Sequence, residues 1–148
     1  MEVIDENRTE NKIKKEQEIS VFIVDDDQSY LYALGFHLKK DTMCKVYCYQ
    51  TGEDCLENIH LNPSIIILDY FLNSGKKYAK NGLNILKKIK KLRPETYVVM
   101  LSGQENLQIA TNSLKFGAFT YIIKDTLALS SIRHIVNLLS NEKTDYLI

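Results

Sequence analysis

Residues 19–27 read ISVFIVDDD, a nearly unbroken apolar, β-branched run that stops abruptly at three aspartates, Asp25, Asp26 and Asp27. A strand facing water on one side would alternate polar and apolar residues; this one does not, so it is expected to be buried on both faces. Burying both faces calls for helices above and below a parallel sheet, and so for repeated strand–helix units. The residues that follow supply them. Leu31, Leu34 and Leu38 form one stripe of a helix over Gln28–Lys40. CKVYCY (44–49) is a second strand, less apolar and so placed at a sheet edge, followed by a helix from near Thr51 with Leu56 and Ile59 facing in. SIIILD (64–69) is the third strand, with a helix over Leu83–Leu92 directing Leu83, Ile85, Leu86 and Ile89 inward. TYVVMLSG (96–103) is the fourth, opened after Pro94 and closed by Gly103. Its helix, Gln104–Phe116, stops at Gly117, a suitable C-terminal cap. FTYIIK (119–124) is the fifth strand, and Leu127–Leu139, with Ile132, Ile135, Val136 and Leu139, the last helix.

Joined by right-handed crossovers, such units make a doubly wound α/β sheet. Ligands bind such a sheet beyond the carboxyl ends of its strands, where the strand order reverses. On that rim the first strand delivers Asp25, Asp26 and Asp27, the third Asp69, the fourth Ser102 and the fifth Lys124. Carboxylates that one lysine cannot neutralise call for a divalent cation, and an all-oxygen donor set with room for water suits Mg²⁺ rather than zinc. A phosphoryl group would complete the set: a carboxylate nucleophile, a cation and an ammonium on phosphoryl oxygens, and a hydroxyl on a third. The rim is suited to phosphoryl transfer to an aspartate.

Bulk properties agree with one site on one domain. The chain has 148 residues, with 19 basic side chains against 19 acidic, so no net field favours nucleic acid or a membrane surface. Residues 1–18 form a charged leader without the apolar core of a signal peptide, 19–140 the domain, and 141–148 a tail; no apolar run reaches membrane-spanning length. A cytoplasmic location is expected. Cys44, Cys48 and Cys55 are odd in number, lack a partner set for metal, and are read as reduced, semi-buried small hydrophobes. No glycine-rich phosphate loop is present, so no nucleotide or other organic cofactor is expected.

VFIVDDD, IIILD, VVMLSG and YIIK, in that order and spacing, resemble the response-regulator receiver family over about Ile19 to Leu139. The resemblance implies a flavodoxin-like (βα)5 fold with strand order 2-1-3-4-5. It implies that Asp69 is the phosphoacceptor and that Asp25 and Asp26 flank Mg²⁺, Asp26 as a direct ligand, with Asp69 and the Phe71 backbone carbonyl completing the protein's share. Ser102 and Lys124 would grip the phosphoryl group, and Ser102 with Tyr121 would form the switch. A histidine kinase or phosphotransfer protein would donate the phosphate. The chain would be a phosphoacceptor that assists its own phosphorylation and dephosphorylation, not an enzyme with a separate substrate. With nine residues after Leu139, an output domain is not expected, and the signal would leave by contact with a downstream protein through the fourth and fifth helices.

Three places depart from that family. Asp125 follows Lys124 where proline in a cis peptide is usual; a non-proline cis bond costs roughly 3 kcal/mol, so a trans bond is expected. The loop NSGKKYAKN (73–81) is longer than usual. Phe71 puts an apolar ring where receivers face the water that hydrolyses the phosphate, which implies slow dephosphorylation; Gln104, two residues past Ser102, also lies within reach of that water.

Other features read more plainly. Eight basic residues between Lys76 and Arg93, with no acidic one, form a solvated face. His37, His60 and His134 are surface histidines, and Tyr30 and Tyr32 pack or lie exposed. Two rival readings remain: a haloacid-dehalogenase-like phosphatase, with Asp25 as nucleophile in a D-x-D pair with Asp27, and a receiver that docks without phosphorylation.

Overall fold

The computed structural model describes residues 18–41, 43–72 and 81–145. The leader up to residue 17, the long loop at 73–80 and residues 146–148 lie outside them, so the readings of those segments have no structural counterpart here.

Five parallel strands form one sheet: β1 (Ile19–Val24), β2 (Cys44–Tyr49), β3 (Ile65–Asp69), β4 (Tyr97–Ser102) and β5 (Thr120–Ile123), in the order β2-β1-β3-β4-β5. The expected doubly wound architecture and strand order are therefore present, with β2 at an edge. Helices α1 (Gln28–Asp41), α2 (Gly52–Glu57), α3 (Gly82–Leu92), α4 (Leu107–Lys115) and α5 (Ala128–Asp145) complete the units.

The period-2 geometry of strands divides the core in two. Val21, Ile23, Ile65, Ile67, Val99 and Leu101 point to the side covered by α1 and α5, where Leu34, Leu38, Ile132 and Val136 meet them. Phe22, Val24, Ile66, Leu68, Val98 and Met100 point to the other side, where Cys55 of α2 and Ile85, Leu86 and Ile89 of α3 meet them. A fully buried side chain of this size contributes about 1.5–3 kcal/mol relative to exposure, which explains why the central strands carry no charged residue before their carboxyl ends.

Several element boundaries differ from the sequence reading for identifiable local reasons. The fourth helix starts at Leu107, because Asn106 is its N-cap and accepts from the Ile109 N–H at 3.1 Å; residues 104–106 are loop. It ends in a Schellman pattern: Gly117, at φ 101°, donates to the Leu114 carbonyl and Ala118 to that of Ser113. Thr96 precedes β4, its buried hydroxyl donating to the Pro63 carbonyl at 2.9 Å. Helix α2 is short and passes into a 3-10 turn at Ile59–Leu61, and α5 continues past Leu139 to Asp145. His37 is half-buried rather than a surface residue, its Nε2 shielded from solvent, while His60 and His134 are exposed as expected. All three cysteines are free, but Cys48 is exposed and only Cys55 is fully buried, which pushes its thiol up to about 12. Lys90 is not simply solvated: its ammonium donates to the carbonyls of Pro94 and Thr96, both at 2.8 Å.

Candidate functional site

The strand order reverses between β1 and β3, and both strands end there in acid. Val24 pairs with Leu68, so Asp25, immediately after β1, lies beside Asp69 at the end of β3. Asp25 is fully buried and Asp69 nearly so. The Asp25 N–H donates to the Tyr49 carbonyl at 3.1 Å, and its Oδ1 accepts the Asp27 N–H at 2.9 Å, so the loop after β1 holds the carboxylate in place. On the other side of β3, Asp69 pairs with Leu101 and the Tyr70 N–H donates to the Leu101 carbonyl, which brings Ser102 alongside. Lys124 follows β5 and its N–H donates to the Ser102 carbonyl at 2.8 Å.

The Lys124 ammonium reaches back over the rim to both carboxylates, 2.6 Å from Asp25 Oδ2 and 3.4 Å from Asp69 Oδ1. Burial alone would lower the lysine, but the Asp25 hydrogen bond and the two carboxylate charges more than offset this and raise it. One ammonium does not compensate two buried acids. Burial, and then the Asp25 charge, push Asp69 up to about 7, and burial raises Asp25 even against its bond to Lys124.

Carboxylate oxygens of Asp25, Asp26 and Asp69 all lie within 4.8 Å of one another. This all-oxygen set, short of positive charge, fits a hard divalent cation.

The third aspartate of the run has a different task. Asp27 is exposed, and its Oδ1 accepts from the N–H groups of Ser29 at 2.9 Å and Tyr30 at 3.2 Å; it is the N-cap of α1. It is not a member of the three-carboxylate group that Asp25 joins.

Ser102 is buried, and its hydroxyl oxygen accepts the Gln104 N–H at 3.2 Å. The Gln104 carbonyl in turn accepts the Tyr121 hydroxyl at 2.5 Å. Tyr121 is half-buried and packs against the cluster formed with α2 and α3. The sequence pointed to the side chain of Gln104; in the structure its backbone links Ser102 to Tyr121. No residue pattern announces such a link, because every residue has an N–H and a carbonyl. Phe71 is 41 % exposed and edge-on to Tyr70, with ring centroids 4.9 Å apart. The Lys124–Asp125 peptide is trans, as expected, and Asp125 Oδ1 accepts the Leu127 N–H at 2.8 Å.

Two neighbours escaped the sequence reading. Gly82 donates to the Tyr70 carbonyl at 2.7 Å, and a Cβ there would lie 2.3 Å from the Asp69 carbonyl oxygen. The Tyr30 ring lies beneath the Lys124 ammonium, 4.5 Å from ring centroid to nitrogen. The glycine lies just before the apolar stripe that marked the helix, and the tyrosine is one of two tyrosines in α1.

The model of the response regulator receiver domain matches residues 21–137. An NtrX-like protein of Rickettsia felis is 34% identical over 109 residues, 72% of this chain and 22% of that protein. The acid tolerance regulatory protein ActR of Rhizobium meliloti is 27% identical over 105 residues, 71% of this chain and 52% of its own. The chain thus spans about a fifth to a half of these relatives' lengths. Among solved structures, a CheY-like receiver domain protein from Methanospirillum hungatei superimposes with a TM-score of 0.72 at 25% identity, covering 86% of this chain and 98% of that one.

Proposed function

Because this chain belongs to the response regulator receiver domain family, we propose that it accepts a phosphoryl group on Asp69 and signals through the change in packing that follows. The observation that carries the reading is the shared ammonium: Lys124 bridges Asp25 and Asp69 at 2.6 and 3.4 Å, beside buried Ser102. In this reading an Asp69 carboxylate oxygen attacks the phosphorus of a phosphohistidine. The new P–O bond forms as the P–N bond breaks, and the departing imidazole takes a proton. Lys124 neutralises the incoming charge and the Ser102 hydroxyl donates to a phosphoryl oxygen. Asp25, Asp26 and Asp69, with the Phe71 carbonyl, would hold Mg²⁺, which supplies positive charge against the phosphoryl oxygens. The donor is a histidine kinase or phosphotransfer protein, and the setting cytoplasmic; no described helix is long and apolar enough to cross a membrane.

The relay from Ser102 through Gln104 to Tyr121 gives the switch a path. A phosphoryl oxygen that draws the Ser102 hydroxyl competes with the Gln104 N–H for that oxygen's geometry, and Tyr121 is tied to the same residue. The elements on either side of β5 carry exposed apolar side chains, Leu107 and Leu114 on α4, Leu127 just before α5 and Leu138 on it, which supports contact with a downstream protein through α4 and α5. The deciding experiment is incubation with Mg²⁺ and acetyl phosphate, followed by intact and peptide mass spectrometry. A hydroxylamine-sensitive adduct on Asp69, lost in Asp69→Ala and on chelation, is expected. An adduct on Asp25, or no reaction even with a histidine kinase, would overturn the reading.

A further inference from the structure

We propose that Tyr30 is a positioning residue for phosphoryl transfer: the face of its ring holds the Lys124 ammonium in place while the carboxylate contacts of that ammonium change. This rests on the phosphoacceptor reading of Asp69 and goes a step beyond it.

The need for such a support follows from the lysine's surroundings. Its stem leaves the chain just after β5, has four rotatable bonds, and is followed by a trans peptide and a residue, Asp125, whose carboxylate accepts the Leu127 N–H ahead of α5. The ammonium is held at its far end by Asp25 and Asp69. Both holds are altered by the reaction. One Asp69 oxygen becomes part of the acyl phosphate, and Asp25 belongs to the three-carboxylate group that fits a cation. The third contact, the Tyr30 ring at 4.5 Å, is different in kind. A ring face attracts a cation through its quadrupole, strongly where water is excluded, and takes no hydrogen bond from the ammonium's remaining partners. It is available before and after transfer alike.

The ring is itself well held. Tyr30 is the third residue of α1, its N–H bonded to the Asp27 cap, and its body packs against the cluster beneath α1 and α5. Its hydroxyl is buried and has no hydrogen-bond partner among the described residues. Removing that hydroxyl therefore breaks no hydrogen bond among these residues, which makes Tyr30→Phe a clean control: it keeps the ring face.

The test uses the full chain with saturating Mg²⁺ and acetyl phosphate, reading the rate of the Asp69 adduct by intact mass. Tyr30→Phe is expected to react like the parent. Tyr30→Leu, or Tyr30→Met should the leucine variant fold poorly, is expected to react about fivefold more slowly, with its thermal midpoint in the absence of acetyl phosphate still raised by Mg²⁺ as in the parent. In a Lys124→Ala background the same Tyr30 substitution should have no further effect. A parent-like rate for both Leu and Met variants, or an equal slowing in the Lys124→Ala background, would overturn the proposal while leaving the phosphoacceptor reading intact. A parent protein that forms no Asp69 adduct would overturn that reading, and this inference with it.

Discussion

Asp69 is held with 4% of its side chain exposed, next to a second buried carboxylate, and one ammonium serves both. Its folded pKa, about 7, is above the 3.8 of an unperturbed aspartate. Over the interval between those values the native state binds more protons than the unfolded chain, so stability falls as pH rises through it. The cost is absent when both states are protonated, below about 3.8, and complete above about 7. Asp69→Asn should therefore stabilise the Mg²⁺-free protein by about 1–3 kcal/mol at pH 8. Urea denaturation would show this gain shrinking as the pH is lowered toward 5; a gain independent of pH would contradict the account. Gly82 has the opposite character. A methyl group there meets the Asp69 carbonyl oxygen at 2.3 Å, backbone that has no side chain's freedom to yield. Gly82→Ala should cost about 2 kcal/mol or more and slow formation of the Asp69 adduct, whereas Gly103→Ala, with nothing within 4 Å of the added carbon, should fold normally. Phe71, exposed beside Tyr70, keeps an apolar ring two residues past the acceptor. Phe71→Asn should shorten the life of the acyl phosphate a few-fold, and an unchanged autodephosphorylation rate would sink that reading.

The helices differ in how firmly they are attached. Helix α3 buries Gly82, Ile85, Leu86 and Ile89, whereas among the residues of α4 only Ser113 is buried, and Leu107 is 83% exposed. With so little apolar area to lose, α4 opens at a lower free energy than its neighbours. Its amides should exchange with deuterium sooner than those of α3, and slow exchange in both would remove the basis for a switch through α4. The start of α1 offers a second test. Asp27→Ala removes the acceptor of two N–H groups and should cost about 1 kcal/mol. Because Asp27 stands outside the three-carboxylate group, the rise in thermal midpoint on adding Mg²⁺ should survive the change. The same rise should disappear in Asp25→Asn. These boundaries also show where local pattern suffices. Apolar stripes located the other four helices and Gly117 the end of α4, while the starting residue of α4 depended on Asn106 taking the cap.

Across the whole molecule, proton and metal compete for the same oxygens. Below pH about 7 a cation entering among Asp25, Asp26 and Asp69 must displace the Asp69 proton, so the Mg²⁺ concentration giving half of the thermal stabilisation should fall as pH rises from 6 to 8, by up to about tenfold per unit on the acid side. A pH-independent midpoint would mean that Asp69 is not at the cation. The parallel sheet, its strand order and the gathering of Asp25, Asp69, Ser102 and Lys124 on one rim were legible in the linear chain. The sheet and the rim rested on short-range signals, apolar strands, the polar residue that ends each, and the parallel pairing of βαβ units that puts all those ends on one side; the strand order came from the resemblance to the receiver family. What only the tertiary structure decided was the division of labour among neighbours. Asp27 caps a helix while Asp25 meets Lys124, 99 residues away; Gln104 acts through its backbone; Tyr30 rather than Tyr32 lies under the ammonium. Such contacts depend on strand register and on how α1 lies against the sheet, so they are set by distances between remote segments, and no local pattern of residues encodes those distances.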